Sequence, residues 1–449
     1  MTTAAAAMPN AKRGTIPVFA AATAVTVSNI YFTQPLLEQI ARSFHISAAA
    51  AGLVATAGQI GYALGIVAIV PLADGAKLRR LSAVLLTVTT LALVAGAFAP
   101  SITLLSLAAL ILSATTVIPQ VIMPTAVAMA AKGQAGRVLG AIGTALTLGA
   151  LVSRSVSGVL AEITGTWRAG FLFSAVATAA LLLILPRYMP AKAGQGTGET
   201  LGYRRLLRSL PALFPRYPAL RISAALGGLV FAAFSGFWAV LAFHLTEQPI
   251  GLGAAAVGLF GIAAVPGALA ARYSGRMADR WGPTVVNAAS LTAVALALAL
   301  FLIAGDSLVA LFIGVNLLGF GTTSGQIANQ VRVFTAGPEV RARINTLYMF
   351  SVFAGGATGT AVAGALFAAY GWSGAIAGGF GFLGLAVVVL ALHAAGTRRK
   401  PAGSALADDS VSLPGARARV SSDSASLPDT RSPGDRVRAG VGSEGSSGR

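Results

Sequence analysis

The stretch "SGRMADRWG", residues 274–282, sets two arginines and an aspartate between two long apolar runs. Charged residues make up only 10% of the 449-residue chain, so a compact charged knot in mid-sequence needs a physical reason. A second knot points to one. "VPLADGAKLRR", residues 70–80, places an aspartate and several cations directly after another long apolar run.

The runs around these knots set the fold class. The chain is 55% hydrophobic with a mean hydropathy of +0.77, more apolar surface than a soluble domain of this size hides. The runs are ~20 residues or longer, the span of a bilayer, and they recur along most of the sequence. Strands of a membrane barrel would alternate apolar and polar residues, and these runs do not. The chain reads as an all-α integral membrane protein with twelve spans, near 16–38, 48–72, 80–99, 102–127, 138–161 and 168–186, then 221–245, 253–272, 284–304, 308–331, 344–368 and 373–395.

The net charge of +18 is placed for topology rather than for nucleic acid, which would call for a basic face interleaved with aromatics. With the N-terminus on the cytoplasmic side, the outer loops hold only Arg42 and Arg168, and Arg154 falls inside a span. All other Lys and Arg before the tail, Arg332 among them, then lie on the inner side. Both termini are expected in the cytoplasm, and the first apolar run reads as an uncleaved span rather than a leader. No cysteine is present, which excludes disulfides and thiolate metal sites. Residues 1–15 form a short basic segment and 187–220 a polar central loop, whose part "YRRLLRSLPALFPRYP" is expected to lie on the inner leaflet as a basic amphipathic helix. The tail, 396–449, is rich in Ser, Gly, Pro, Arg and Asp without aromatics and is expected to stay disordered.

The knots are copies of each other. Asp74 and Asp279 stand 205 positions apart, as do Trp167 and Trp372, and Arg137 and Arg341 precede the fifth and eleventh spans at nearly the same offset. Shared landmarks at one spacing mark two homologous six-helix halves, 16–186 and 221–395. An even number of spans per half makes the repeats parallel, with a substrate path between them near the midplane.

Two parallel six-helix halves, a basic central loop and a charged knot after the second and eighth spans resemble the major facilitator superfamily of transporters, over about 16–395. The family's loop signature, Gly-x-Leu-Ala-Asp-Arg-x-Gly, is met by Gly275, Met277, Ala278, Asp279, Arg280 and Gly282. The first copy keeps Leu72, Ala73, Asp74, Arg79 and Arg80, with Val70 and Lys77 where glycines are usual. The resemblance implies that Asp74 faces the start of the eleventh span and Asp279 that of the fifth. Arg79, Arg80, Arg276 and Arg280 join them in a latch between the halves. Exporters of the superfamily often carry a spaced Gly/Pro signature in the fifth span. Here Gly140, Gly149, Ser153, Arg154, Ser157 and Gly158 hold its positions, with Arg154 where the proline stands. The glycines Gly140, Gly149 and Gly158 suit close helix packing. An arginine inside a span needs a partner, a cavity or the interface, so outward snorkelling and a gating or substrate-binding role both remain open for Arg154.

The resemblance also implies that the first, fourth, seventh and tenth spans line the cavity. Their candidates are Asn29, Tyr31, Gln34, Gln120, Phe231, Phe234, Trp238, Asn316, Gln326 and Asn329, with Phe237 and Gln330 beside them. The string "SNIYFTQPLLEQI" resembles the first span of bacterial drug-efflux members. Such a cavity is aromatic and amide-lined with no central charge, which fits neutral or weakly charged amphipathic molecules. None of the acidic residues falls at mid-membrane, and a protonatable Glu38–His244 pair at the outer mouth is the candidate for coupling. The scattered His45, His244 and His393 offer no metal or nucleophile geometry, and no Gly-rich loop ending in Gly-Lys-Ser/Thr is present for ATP. The expected function is non-enzymatic: proton-antiport efflux of small hydrophobic or drug-like compounds by a monomer in the bacterial inner membrane, without cofactor. Its partners are the substrate, protons and the lipid bilayer, and no nucleic acid. Uptake or facilitated diffusion of a metabolite, and ligand sensing without flux, are the alternatives.

Overall fold

The computed structural model describes residues 14–74, 76–130, 134–190 and 203–398. Eleven helices in it are long and apolar enough to cross a membrane. The last of them, Pro338–Arg398, is two helices joined at Gly371, whose backbone (φ 65°) leaves the helical region. The twelve spans are α1 (Thr15–Phe44), α2 (Ala48–Ala73), α3 (Leu78–Ala97), α4 (Ile102–Met129), α5 (Gly136–Thr164) and α6 (Arg168–Tyr188). They continue as α7 (Pro218–Thr246), α8 (Ala254–Trp281), α9 (Pro283–Ile303), α10 (Leu308–Phe334), α11 (338–370) and α12 (372–398). Helices are the natural answer to these sequences in lipid, because each satisfies its own backbone polar groups. Serine caps begin several: Ser47 accepts from Ala50 N, Ser101 from Leu104 N and Ser307 from Ala310 N.

Consecutive spans run antiparallel, so Arg79, Arg80, Arg137, Arg216, Arg276, Arg280 and Arg341 gather at one end of the bundle, which we call the basic end. Arg42 and Arg168 sit at the other, distal end.

Lipid removes the hydrophobic drive between helices, and packing depends on small residues that let backbones approach. The two halves use the same device at matching places. A Cβ on Gly149 would lie 2.5 Å from the Ala24 carbonyl oxygen, locking α5 onto α1. A Cβ on Gly355, 206 positions later, would lie 2.1 Å from the Gly228 oxygen, locking α11 onto α7.

Proline interrupts the spans that face the middle. α1 passes through a 3₁₀ turn at Gln34–Leu36 around Pro35, α4 breaks at Thr116 before Pro119, and α8 breaks at Ala264 before Pro266. Each ring removes a backbone donor and frees a carbonyl for another partner.

Two expectations are corrected here. The knot 274–282 is not a loop: Ser274–Trp281 are the last helical turns of α8, stopped by Gly282 at φ 81°. The central segment is not one surface helix. It folds as Tyr203–Ser209 and Leu213–Arg216, and buries Leu210 and Leu213 in a cluster with Ile66 of α2 and Ile344 and Leu347 of α11. The expected disordered tail and the N-terminal segment fall, but for residues 14, 15 and 396–398, outside the described residues.

Candidate functional site

The halves meet along two seams, α2 with α11 and α5 with α8. In its distal half the α5–α8 seam is closed backbone to backbone. A Cβ on Gly158 would lie 2.3 Å from Ala254 O, one on Gly258 2.5 Å from Arg154 O, and one on Gly261 2.3 Å from Leu151 O. Ser155 Oγ donates to Gly258 O at 2.6 Å, and the Ala255 amide at the start of α8 donates to Glu162 Oε2 at 2.8 Å, an anion on a helix N-terminus. Below Leu151 the helices part. Gly143, Gly140 and Gly136 of α5 meet nothing within 4 Å. Of the three glycines expected to pack α5, Gly149 and Gly158 do so and Gly140 faces open space.

Arg154 stands at the apex of this opening, and it does not snorkel. It is 1% exposed. Nε donates to Gln34 Oε1 at 2.7 Å, and Nη1 donates to the Ala150 carbonyl one turn back. Its guanidinium lies 4.7 Å from the Tyr31 ring centroid and 4.3 Å from that of Trp238. Tyr31 and Gln34 belong to one half and Trp238 to the other, so the cation bridges them. The guanidinium thus puts a charge among three of the side chains expected to line the cavity, Tyr31, Gln34 and Trp238. Position 154 was legible as intramembrane, but the direction of its side chain was not.

Around it, Phe234 stacks on Phe231 at 5.5 Å and approaches Trp238 at 6.3 Å, giving α7 a continuous aromatic face. Gln120 Nε2 reaches Tyr62 OH at 3.4 Å. Gln326 lines a small cavity of ≈ 10 Å³ with Thr322, Asn329 and Tyr348. Ser153 and Ser157 face elsewhere, into an apolar cavity of ≈ 290 Å³ between α1, α5 and α6.

Three amides expected in the central cavity are spent inside the halves. Asn29 Nδ2 donates to Thr178 Oγ1 of α6 at 3.1 Å. Asn316 repairs the α8 break: its Nδ2 donates to Ala263 O and its Oδ1 accepts from Gly267 N, each at 2.8 Å, standing in for a lost helical hydrogen bond. Asn329 Oδ1 accepts from Arg332 Nη1 at 2.9 Å. Arg332, read from sequence as an inner-surface cation, is buried within the second half. Its Nη2 donates to Asn287 Oδ1 at 2.8 Å, and Nη1 also reaches Ser223 Oγ at 3.4 Å. The signal was present: Gln326, Asn329 and Arg332 fall on one helical face.

The distal mouth also differs from expectation. Glu38 pairs with Arg42, one turn along α1. His244 stacks on Trp372 at 3.9 Å, contacts Gly305 O at 3.0 Å and lies 3.7 Å from Asp306. The Glu38–His244 pair is not formed, because each has a nearer partner in its own half.

At the basic end, Asp279, Arg276, Arg280, Arg79 and Arg80 are exposed, and among the described residues none has an ion-pair partner. Arg280 rests on Trp281 at 5.5 Å. The side chain of Asp74 lies outside the described residues. Among the described residues Asp279 has no ion-pair partner at the start of α5.

A sequence profile of the Major Facilitator Superfamily matches residues 19–334. The uncharacterized transporter YgaY of Escherichia coli O157:H7 is 34% identical over 360 residues, covering 80% of this chain and 90% of that protein. A probable transporter of Streptomyces coelicolor is 33% identical over 372 residues, covering 82% and 85%. Among solved structures, the nucleoside transporter NupG superposes with a TM-score of 0.66 at 17% identity, over 86% of this chain and all of that one; the likeness is one of fold.

Proposed function

The chain belongs to the Major Facilitator Superfamily and is a multi-pass membrane transporter, and from that premise we propose that it exports small amphipathic organic compounds by alternating access. The basic end faces the bacterial cytoplasm, by the excess of Lys and Arg there. The observation that carries the reading is the α5–α8 seam, zipped from Leu151 outward and parted toward the basic end. A molecule enters from the cytoplasm and settles below Arg154 against Phe231, Phe234 and Trp238. The seam then zips at the basic end and opens distally. Closure brings Asp279 to the start of α5, where unpaired helix amides favour a carboxylate and the arginines of both knots complete the latch. A monomer holds the whole path.

Proton coupling, in this reading, runs through the distal pairs Glu38–Arg42 and His244–Asp306. Among the described residues no carboxylate lies between the two ends.

The native chain has no cysteine, so single cysteines report cleanly. Gly140→Cys should react with a membrane-impermeant maleimide from the basic side while Ser155→Cys is protected. Turnover conditions should reverse the pattern, and a pH gradient across liposomes should alter the rate of that reversal. Unchanging reactivity at both positions under all conditions would falsify alternating access at this seam.

A further inference from the structure

Arg154 carries a charge the protein does not balance. Its hydrogen-bond partners are the neutral Gln34 amide and the Ala150 carbonyl, and its two aromatic neighbours are neutral as well. Nη2 has no protein acceptor among the described residues. The Glu38–Arg42 ion pair and the His244–Asp306 contact found among them both belong to the distal end. A cation held in lipid without counter-charge is expensive. Interaction with two rings recovers only part of that cost.

Arg332 shows what a structural buried arginine looks like in the same molecule. It too lacks a counter-charge, but Asn287, Asn329 and Ser223, on three helices of one half, accept from both of its terminal nitrogens. Arg154, by contrast, lies between the halves, where the α5–α8 seam begins to part, with a nitrogen unspent.

We propose that the missing counter-charge is the cargo: the transported compound is an amphipathic organic acid. Its carboxylate docks on the Arg154 guanidinium, and its apolar body lies along Phe231, Phe234 and Trp238. This inference rests on the transport reading given above. The carboxylate takes Nη2 with either Nε or Nη1, the forked geometry guanidinium offers. Releasing Nε from Gln34 loosens α1, while the apolar body holds Trp238 of the other half. Substrate thereby interacts differently with the two arrangements of the seam, which is what binding must do to move it.

The test compares two probes of equal shape, dansylaminoundecanoate and its primary amide, on full-length protein at near-neutral pH. Equilibrium dialysis gives affinity, and flux into or out of proteoliposomes gives transport. The unaltered protein should bind the acid about tenfold or more tighter than the amide, the worth of one charge-assisted pair. Arg154→Gln should bring the ratio to within about twofold by weakening the acid alone, and Arg154→Lys should leave an intermediate preference. Equal binding of the two probes by unaltered protein, or binding of neither, overturns the proposal without any variant, so a misfolded Arg154→Gln does not shelter it. A preference that survives in well-folded Arg154→Gln overturns it too. The transport reading is judged apart. Equal flux of acid and amide leaves the exporter standing and sinks the organic acid, whereas Arg154-dependent binding without flux leaves the site and sinks the exporter.

Discussion

The two seams between the halves are related by the internal repeat, yet they are built differently. α2 and α11 touch along their whole length. Ala49 approaches Gly364 near the distal end, the Tyr62 and Phe353 rings meet at a tilt, 4.4 Å apart, in the middle, and Ile66 clusters with Ile344 and Leu347 toward the basic end. α5 and α8 touch only in their distal half. The central segment accounts for the difference. Tyr203 OH donates to Ala68 O of α2 at 2.8 Å, Arg343 of α11 donates to Ser209 Oγ at 3.3 Å, and Leu210 and Leu213 fill the space between. A wedge tied to both helices holds one seam shut, and among the described residues the other seam has no such wedge. In the proposed alternating access the α2–α11 seam is the pivot and the α5–α8 seam the part that opens.

Breaking the zip of the mobile seam should have the largest effect. In Gly258→Leu the new side chain begins 2.5 Å from Arg154 O and 2.9 Å from Ser155 Cα, both backbone atoms with no room to yield. Overpacking against backbone costs about 3 kcal/mol, so transport should fall about a hundredfold. The chain should still insert and purify as a single species, because each half keeps its own packing. The comparison is Gly355→Leu, which collides with Gly228 inside one half and should abolish folding itself; flux and size-exclusion profiles separate the two outcomes.

Next is the pivot. Leu210→Ser removes a side chain that is 3% exposed, and truncating a buried leucine costs about 3 kcal/mol. Thermal unfolding should move down accordingly, and a cysteine at Ile66 should become reactive to maleimide from the basic end. If the reactivity stays low, the wedge is not what closes that seam. Asn316→Leu probes the bend of α8 itself. It orphans Ala263 O and Gly267 N, a loss of about 1–3 kcal/mol, and should lower the unfolding temperature and slow transport together.

The elements that do not change between the seams were legible in the sequence. Span number, the two halves and most boundaries follow from apolar length along one dimension and from landmarks repeated at 205 positions. What faces what was not legible, for a physical reason. Asn29 and Gln34 are both amides on α1, but a helix turns them apart, one into α6 and the other onto Arg154. Asn316 is committed to a break that Pro266 makes on a different helix. Arg332 counts as a loop cation until α10 is seen to run through to Phe334, which places the guanidinium inside the bundle. His244 finds Trp372 and Asp306 through the folding of α12 and the turn before α10, neither of which is near it in sequence.

The smallest effect is expected at the knot that first marked the fold. Asp279 is exposed with the seam parted and has no ion-pair partner among the described residues, so Asp279→Asn should cost nothing in this state. In the proposed alternating access its effect belongs to the other state, where the carboxylate would meet the start of α5 and the arginines around it. Exposed charge interactions of that kind shift a two-state balance only a few-fold. Gly140→Cys should accordingly react with maleimide a few-fold faster in the Asp279→Asn background, with a matching decline in flux. Raising the salt should shrink both changes, since the charges involved face water. Identical labelling rates with and without the carboxylate, at low salt, would mean that the mobile seam closes by backbone packing alone, as its distal half already does.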